Sequence, residues 1–260
     1  MIRPLFDAAS EIDAAIGRAP HLLLCLDFDG TLTPLVDDPA DVHLAPHMER
    51  VLRALAQHER VSLALISGRN RNELQGHVGM PDVIYAGNHG LEISGPGFVF
   101  IEPEAAAQTD ALKRLAKALA KDIEAIDGAF LEDKGLTLSV HYRMVDAADR
   151  EKVRRVVETA MASAGHPFRM TQGDQVYEIR PEMEWNKGSA VAWIKQQAGQ
   201  PDALLVYVGD DATDEDVFAA FPEAITVKVA DPAETAANYR LEGPADVRRF
   251  LDWLHSRLCD

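Results

Sequence analysis

A buried strand that ends in two aspartates constrains the fold of this chain more than any other stretch. Residues 22–33 read LLLCLDFDGTLT, so a continuous apolar run leads into Asp27 and Asp29. Such a run is typical of a parallel strand that is buried on both faces. Residues two apart on a strand point to the same side, and open α/β sheets bind ligands at the carboxyl ends of their strands. The pattern therefore predicts two carboxylates at the edge of a central sheet, with a strand end capped by an Asx-turn as the purely structural alternative.

The composition of the 260-residue chain excludes some classes of function. Apolar residues make up 47% and charged residues 26%, which is ordinary for one or two compact units. A formal net charge of −16 argues against a nucleic-acid partner, because nothing would neutralise the phosphate backbone. It permits a small anionic substrate, since a metal ion and a lysine can make one site locally positive.

The ends of the sequence and its two cysteines indicate a cytoplasmic protein. Cys25 lies within the buried strand and Cys259 is next to the last residue, so no disulfide framework is predicted. The first residues include Asp7, Glu11 and Asp13 and lack the apolar core of a signal peptide. The longest apolar run is too short to span a membrane. We expect a cytoplasmic monomer with no membrane partner.

Strands that alternate with helices predict a doubly wound α/β core with a parallel sheet. In its first part the predicted elements are helix 5–17, the strand before Asp27, helix 46–58, strand 61–66, helix 70–77, strand 82–86 and a hairpin of strands 91–94 and 98–101. In its second part they are helix 187–197, strand 203–208, a helix that begins near Asp214, strand 224–229 and helix 244–258.

A block with a different order of helices and strands separates the two parts of this core. Its predicted elements are a long helix over 104–126, strands 129–133 and 136–142, helix 147–164, and strands 167–171 and 175–180 joined through residues 172–174. This αββαββ order is typical of an antiparallel α+β unit. The prediction thus divides the chain into a first core segment (1–102), an inserted cap (103–178) and a second core segment (179–260).

Polar residues follow the core strands at their carboxyl ends, where sequence-distant side chains can form one site. They are Asp27 and Asp29, Ser67, Asn88 and His89, and Asp210 and Asp211, with Lys187 at the start of the helix after the insertion. Phosphoryl transfer needs such a set, because a carboxylate and a phosphate dianion repel each other by roughly 4 kcal/mol per charge pair at ~4 Å. Oxygens of Asp27, Asp29 and Asp210 can hold Mg²⁺, and Lys187 can stabilise the charge of the transition state.

Each residue of the set has a role in such a reaction. Asp27 would attack phosphorus and form an aspartyl-phosphate, while Asp29 would protonate the leaving oxygen and later take a proton from water. The hydroxyl of Ser67 and the N–H groups of Gly68 and Arg69, at a helix start, would donate to the phosphate. The neighbours of Asp29 are expected to be mostly negatively charged.

These motifs and their order resemble those of the haloacid dehalogenase (HAD) superfamily. The matching residues are Asp27-Phe-Asp29-Gly-Thr31, Ser67, Lys187, and Gly209-Asp210-Asp211 followed by Asp214. The resemblance implies a HAD core and a Mg²⁺-dependent aspartyl-phosphate mechanism, with Ser67 and Lys187 on the phosphate and Asp210 on the metal. It also implies that Asp211 or Asp214 supports the metal from an outer or water-mediated position, although Asp214 could serve only as a helix N-cap.

Finer details resemble the trehalose-6-phosphate phosphatases within that superfamily. The matching segments are DGTLTP (29–34), ISGR (66–69), GNHGLE (87–92), EIRP (178–181) and GDDATDED (209–216). The resemblance implies hydrolysis of trehalose 6-phosphate to trehalose and inorganic phosphate, with Mg²⁺ as cofactor and a small sugar phosphate as partner. Residues that would contact the sugar are Glu132, Lys134, Arg143 and Glu178 in the cap, with Asn88 and His89 in the core as further candidates.

Other functions fit the sequence less well. Phosphomutases of this superfamily usually carry a helical cap between the first aspartate motif and the serine motif, but a loop, a helix and a strand already fill the segment from Asp27 to Ser67. A non-catalytic binding module would lack a motif residue, and none is missing. Phosphatases that act on sucrose phosphate or mannosyl-3-phosphoglycerate use similar caps and remain the alternatives.

Overall fold

The computed structural model describes residues 2–36, 41–165, 168–173, 175–198, 202–230 and 234–259. The chain divides into two compact units, one formed by Met1–Phe100 with Trp185–Asp260 and the other by Ile101–Glu184. The second unit extends past residue 178, the predicted end of the cap, because the strand Val176–Pro181 pairs as a whole within it. That this unit acts as a cap stays a prediction.

The strands and helices of the described residues are numbered in chain order. The strands are β1 (Arg3–Pro4), β2 (Leu22–Leu26), β3 (Val61–Ile66), β4 (Ile84–Gly87), β5 (Glu92–Gly95), β6 (Phe98–Ile101), β7 (Phe130–Asp133), β8 (Leu138–His141), β9 (Phe168–Gln172), β10 (Val176–Pro181), β11 (Leu204–Gly209), β12 (Ile225–Val229) and β13 (Tyr239–Leu241). The helices are α1 (Ala9–Arg18), α2 (Pro46–Ala56), α3 (Arg71–Val78), α4 (Pro103–Ala107), α5 (Thr109–Glu124), α6 (Arg150–Ser163), α7 (Lys187–Gln197), α8 (Glu215–Ala220) and α9 (Pro244–Cys259).

The first unit is built on a nine-stranded sheet of order β1-β13-β12-β11-β2-β3-β4-β5-β6. β2 pairs in parallel with β11 and with β3, and the antiparallel pairing of β4 with β5 begins the edge of the sheet. All five residues of β2 are buried. The predicted doubly wound α/β core is confirmed, with the strand before Asp27 near its centre.

The side chains of β2 explain why its sequence is apolar at every position. Leu22, Leu24 and Leu26 pack into one core layer, to which α1, α2, α3 and α9 contribute. Leu23 and Cys25 pack into the other, to which α7 and α8 contribute. Alternate residues of a strand face opposite sides, and full burial of each leucine contributes roughly 1.5–3 kcal/mol. The strand that leads to Asp27 is therefore held from both faces of the sheet.

The second unit has a four-stranded antiparallel sheet of order β7-β8-β10-β9. Apolar side chains of α5 and α6 pack against it in a core of their own. The order α5-β7-β8-α6-β9-β10 confirms the predicted αββαββ unit. Residues 167 and 174 of the predicted β9–β10 hairpin lie outside the described residues.

Two local predictions were wrong in part. The helix predicted over 5–17 begins with a 3₁₀ turn at Leu5–Ala8, and the short parallel pair of β1 with β13 was missed. The helix predicted over 104–126 is broken at Gln108, because the hydroxyl of Thr109 bonds the oxygen of Ala106 and competes with helical pairing there. The helix expected to begin near Asp214 is confirmed as α8, which starts at Glu215 directly after a 3₁₀ turn, Ala212–Asp214.

The described residues contain no helix that is both long enough and apolar enough to cross a membrane.

Candidate active site

Four adjacent parallel strands, β11, β2, β3 and β4, end at the same edge of the large sheet. Asp27 and Asp210 directly follow β2 and β11, and Ser67 directly follows β3. Lys187, which begins α7, also reaches this edge through its contact with Asp27. Parallel strands thus bring residues up to 183 positions apart into one site (Asp27 to Asp210).

The ammonium of Lys187 links two buried carboxylates. Its Nζ donates to Asp27 Oδ1 and to Asp214 Oδ1, each at 2.7 Å. Lys187 is 1% exposed and Asp27 4% exposed. Burial raises the pKa of the Asp27 carboxyl well above its usual value, against the opposing charge of Lys187. Burial alone would lower the pKa of Lys187, but the charges of Asp214 and Asp27 raise it above its usual value.

Asp214 is fully buried and its contacts fix the position of Lys187. In addition to Lys187, its carboxylate accepts hydrogen bonds from the Tyr207 hydroxyl at 2.6 Å and from the main-chain N–H of Asp211 at 2.8 Å. Asp211, not Asp214, is the N-cap of the 3₁₀ turn, and Asp214 returns the bond as the third residue of a capping box. The structure therefore places Asp214 beside the lysine and Asp211 at the cap.

Asp210 lies where Gly30 bends the chain after β2. The hydroxyl of Thr31 donates to Asp210 Oδ1 at 2.8 Å. Gly30 has φ +79°, and a Cβ at this position would lie 2.1 Å from Asp210 Oδ2, so this close approach requires glycine. Burial, followed by the charge of Asp214, raises the pKa of Asp210 to about 6.

Three of these acidic groups could hold a metal ion. Asp27, Asp210 and Asp214 each offer a carboxylate oxygen, and these oxygens lie within 4.8 Å of one another. Hard carboxylate oxygens suit Mg²⁺, and a divalent cation would offset the cost of burying several negative charges together. The donor set therefore fits a magnesium ion, although Asp29, expected among the ligands, is not a member of the group.

Arg69 explains why the carboxylate of Asp29 stays outside that group. Its Nε donates to Asp29 Oδ2 at 2.8 Å and its Nη2 to Asp29 Oδ1 at 2.9 Å, a bidentate pair of high geometric specificity. Arg69 also pairs with Glu73 and lies over the ring of Phe28. The expectation that Asp29 has mostly negative neighbours is therefore wrong, because a buried guanidinium faces it.

The segment from Ser67 to Arg69 precedes a helix rather than beginning it. α3 starts at Arg71, and its N-cap is Asn70, whose side chain accepts from the N–H of Glu73 at 2.9 Å. The main-chain N–H of Arg69 donates to Ser67 Oγ at 3.1 Å. This N–H, which was expected to bind phosphate as part of a helix start, is used within the segment.

Asn88 and His89 form a strained turn that packs on the serine segment. Their φ angles are +50° and +56°, a left-handed conformation that costs roughly 1–2 kcal/mol per non-glycine residue. Their main-chain N–H groups donate to the oxygens of Arg69 (2.7 Å) and Ser67 (2.9 Å). A Cβ on Gly68 would lie 2.9 Å from the His89 ring, so the imidazole covers this glycine. The side chain of Asn88 is buried and donates to Glu92 Oε1 at 2.7 Å.

Within the second unit, three of the four expected sugar-binding residues form one polar row. Glu132, Ser139 and Glu178 stand opposite one another on β7, β8 and β10. Lys134 Nζ donates to Glu178 Oε1 at 3.1 Å and Ser139 Oγ to the same oxygen at 2.9 Å. His141 Nε2 lies 2.8 Å from Glu132 Oε2, and this bond holds the pKa of Glu132 below its usual value despite burial. The fourth residue, at position 143, follows the end of β8.

Comparison with known proteins identifies the family. A family model described as trehalose-phosphatase matches residues 25–245. The chain belongs to the trehalose-phosphatase family. A relative from Arabidopsis thaliana, "Probable trehalose-phosphate phosphatase D", is 33% identical over 93% of this chain and 69% of its own length. The family resemblance read from the motifs is confirmed, and the protein is a phosphoric monoester hydrolase by membership.

Two solved structures share the fold of this family member. The C-terminal domain of C. albicans trehalose-6-phosphate phosphatase matches with a TM-score of 0.82 at 22% identity, covering 98% of this chain and 99% of that chain. A haloacid dehalogenase-like hydrolase from Bacteroides thetaiotaomicron matches with a TM-score of 0.63 at 14% identity, covering 90% and 99%. The fold is therefore a HAD core with an inserted α+β unit.

The contacts of four residues at this trehalose-phosphatase family site were not predicted from the sequence. Arg69 belongs to the ISGR segment and Thr31 to the first aspartate motif, so these two motifs could have indicated both side chains as site residues. Tyr207 lies within an apolar strand, where a tyrosine is normally interpreted as part of the hydrophobic core. Lys228, whose Nζ donates to the main-chain oxygen of Asp210 at 2.6 Å, lies in strand β12, outside every quoted motif.

Proposed function

We propose that this protein hydrolyses trehalose 6-phosphate to trehalose and inorganic phosphate through a phosphorylated Asp27. Membership of the trehalose-phosphatase family supports the substrate. The observation that carries the chemistry is the buried contact of Lys187 with Asp27. A lysine next to a carboxylate offsets its repulsion of a phosphate dianion, which an isolated acid cannot do.

Asp27 acts as the nucleophile in this proposal. Lys187 holds its Oδ1, and its Oδ2 forms a bond to phosphorus as the bond from phosphorus to the sugar oxygen breaks. A water then attacks phosphorus and releases Asp27 and inorganic phosphate. Covalent catalysis of this kind divides one difficult displacement into two easier ones.

Asp29 serves as the general acid and then the general base. It gives a proton to the sugar oxygen as that oxygen leaves, and takes one from the attacking water. Both of its oxygens bond to Arg69 in this structure, so the proposal requires one oxygen to turn away from the guanidinium when substrate binds. Catalytic hydrogen bonds often form only in the substrate complex.

The carboxylates of Asp27 and Asp210 would hold Mg²⁺. The oxygens of Asp214 are used by Lys187, Tyr207 and a main-chain N–H, which favours Asp214 as a support for the lysine. The side chain of Asp29 is used by Arg69, so its main-chain oxygen is the atom that residue 29 could offer. When bound, the ion would screen the charge between Asp27 and the phosphate.

Substrate contacts complete the proposal. Ser67, Gly68 and Lys187 would bind the phosphate. Glu132, Lys134, Arg143 and Glu178 would bind hydroxyls of the sugar, since carboxylates and cations are strong partners for them. His89 would contact the substrate near Gly68, whereas the buried amide of Asn88 supports it by holding the turn. Cytoplasmic location and the monomeric state stay predictions.

One assay tests the proposal. Phosphate release is compared for trehalose 6-phosphate, sucrose 6-phosphate, mannosyl-3-phosphoglycerate and glucose 6-phosphate at equal concentration. We expect trehalose 6-phosphate to have the highest kcat/KM, with activity lost in EDTA and restored by Mg²⁺. A higher kcat/KM for another sugar phosphate would contradict the substrate, and full activity in EDTA would contradict the metal.

A further inference from the structure

Lys228 lies against the main chain of the segment that carries Asp210. Its Nζ donates to the main-chain oxygen of Asp210 at 2.6 Å and to that of Asp211 at 3.2 Å. The carboxylate of Glu215 lies 3.6 Å away. Lys228 is only 8% exposed, and burial of an ammonium is costly unless its partners offset the loss of water. A buried lysine at this position therefore does not serve to keep the surface of the protein soluble, and its contacts have to explain it.

The register of the sheet aims Lys228 at these two oxygens. β12 pairs in parallel with β11, and Lys228 stands beside Gly209, the last residue of β11. The four-carbon side chain has to reach only to the next two residues of the neighbouring segment. The contact thus follows from strand pairing and does not depend on a flexible loop.

The two peptide units that Lys228 contacts are held from both sides. The N–H of Asp211 shares a peptide unit with the oxygen of Asp210 and donates to Asp214 Oδ2 at 2.8 Å. The N–H of Ala212 shares a unit with the oxygen of Asp211 and donates to Asp211 Oδ1 at 2.6 Å. Because a trans peptide is planar, with its C=O and N–H pointing in opposite directions, contacts at both ends fix its orientation.

We propose that Lys228 is a positioning residue for the metal site, holding the main chain of residues 210 and 211 so that the Asp210 carboxylate faces Asp27. The inference rests on the proposed use of a divalent ion by Asp27 and Asp210. Lys187 bonds to carboxylates directly, whereas the hydrogen bonds of Lys228 go to the main-chain oxygens of Asp210 and Asp211, with the Glu215 carboxylate 3.6 Å away. Its charge also reduces repulsion within the acidic segment, whose members are Asp210, Asp211, Asp214, Glu215 and Asp216.

The test is direct binding of Mn²⁺, a spectroscopic substitute for Mg²⁺, measured by electron paramagnetic resonance of the free ion. Four proteins are compared, namely wild type, Lys228→Met, Lys228→Arg and the control Lys195→Met. Met keeps the length of the side chain without the charge, and Arg keeps the charge and donors. Lys195 lies at the far end of α7 from Lys187, so its substitution makes the same chemical change outside the site. Thermal unfolding is recorded for each variant.

We expect Lys228→Met to weaken Mn²⁺ binding by roughly 10- to 100-fold, the usual effect of losing a residue that supports metal ligands. Lys195→Met should bind Mn²⁺ as wild type does, and Lys228→Arg should recover most of the affinity. Equal binding by folded Lys228→Met and wild type would overturn the inference, even if turnover fell. If Lys228→Met does not fold, Lys228→Gln is compared with Lys228→Arg, and equal binding by these two would overturn it. Absence of Mn²⁺ binding by the wild type would overturn the metal site itself, and this inference with it.

Discussion

Replacement of Gly30 by alanine should strongly lower the activity of the enzyme by moving the carboxylate of Asp210. A Cβ at residue 30 would lie 2.1 Å from Oδ2, 2.5 Å from Cγ and 2.8 Å from Oδ1 of Asp210. Non-bonded atoms settle at ~3.5 Å, so the whole carboxylate has to move by roughly 1 Å. This shift would also break the 2.8 Å bond from Thr31.

Gly97 provides a matched control for the backbone strain. Its φ is +85°, close to the +79° of Gly30, but no atom lies within 4 Å of a Cβ there. Both alanine variants carry a left-handed cost of roughly 1–2 kcal/mol, which lowers the Tm by roughly 2–8 °C in a protein of this size. Only Gly30→Ala also disturbs the site.

The assay is kcat/KM for trehalose 6-phosphate together with the Tm from calorimetry. We expect Gly30→Ala to lower kcat/KM by about 100-fold, since a 1 Å misplacement costs on that order, and Gly97→Ala to leave it close to wild type. A Gly30→Ala protein whose Tm falls as in Gly97→Ala, but whose kcat/KM stays within about threefold of wild type, would refute the role given to Asp210.

Three further variants test the remaining parts of the site. Asp27→Asn should have no measurable turnover with a native circular dichroism spectrum; retention of half the activity would exclude a covalent role. Glu178→Ala should lower kcat/KM for trehalose 6-phosphate by roughly 10- to 100-fold, the loss of a charged hydrogen bond, and leave p-nitrophenyl phosphate turnover unchanged; an equal loss on both would exclude sugar recognition. Tyr207→Phe should lower the Tm by roughly 3–12 °C, because the hydrogen bond of its hydroxyl to the Asp214 carboxylate is buried. Tyr239→Phe loses an exposed bond to a carboxylate and should change the Tm little. Equal shifts in Tm would contradict the argument that burial makes the bond of Tyr207 the stronger one.

The central strand and its aspartates could be predicted because their signal is local. An apolar residue at every position of β2 is required when both faces are covered, and Leu22–Leu26 is buried throughout. The start of α7 at Lys187 was predicted for a similar reason, since helical periodicity resumes after the insertion. Elements without such a pattern, such as the two-residue β1, were missed.

The pairing of charges within the site could not be predicted from the sequence. Asp29 and Arg69 are 40 residues apart, and the sequence does not say which of several carboxylates a nearby arginine bonds to. The hydroxyl of Tyr207 and the ammonium of Lys187 both donate to the carboxylate of Asp214. The sequence of a buried strand does not show which group such a hydroxyl will bond to. Side-chain partners of this kind depend on strand order and register, which only the folded chain supplies.

Phosphorylation of Asp27 is the central claim, and chemical trapping tests it most directly. Enzyme mixed with trehalose 6-phosphate is quenched in acid within the first turnover and reduced with borohydride, which converts an aspartyl-phosphate to homoserine. Fragmentation mass spectrometry of the peptide that holds both Asp27 and Asp29 then locates the change. We expect homoserine at position 27. Homoserine at another position, or none while trehalose is released, would contradict the account.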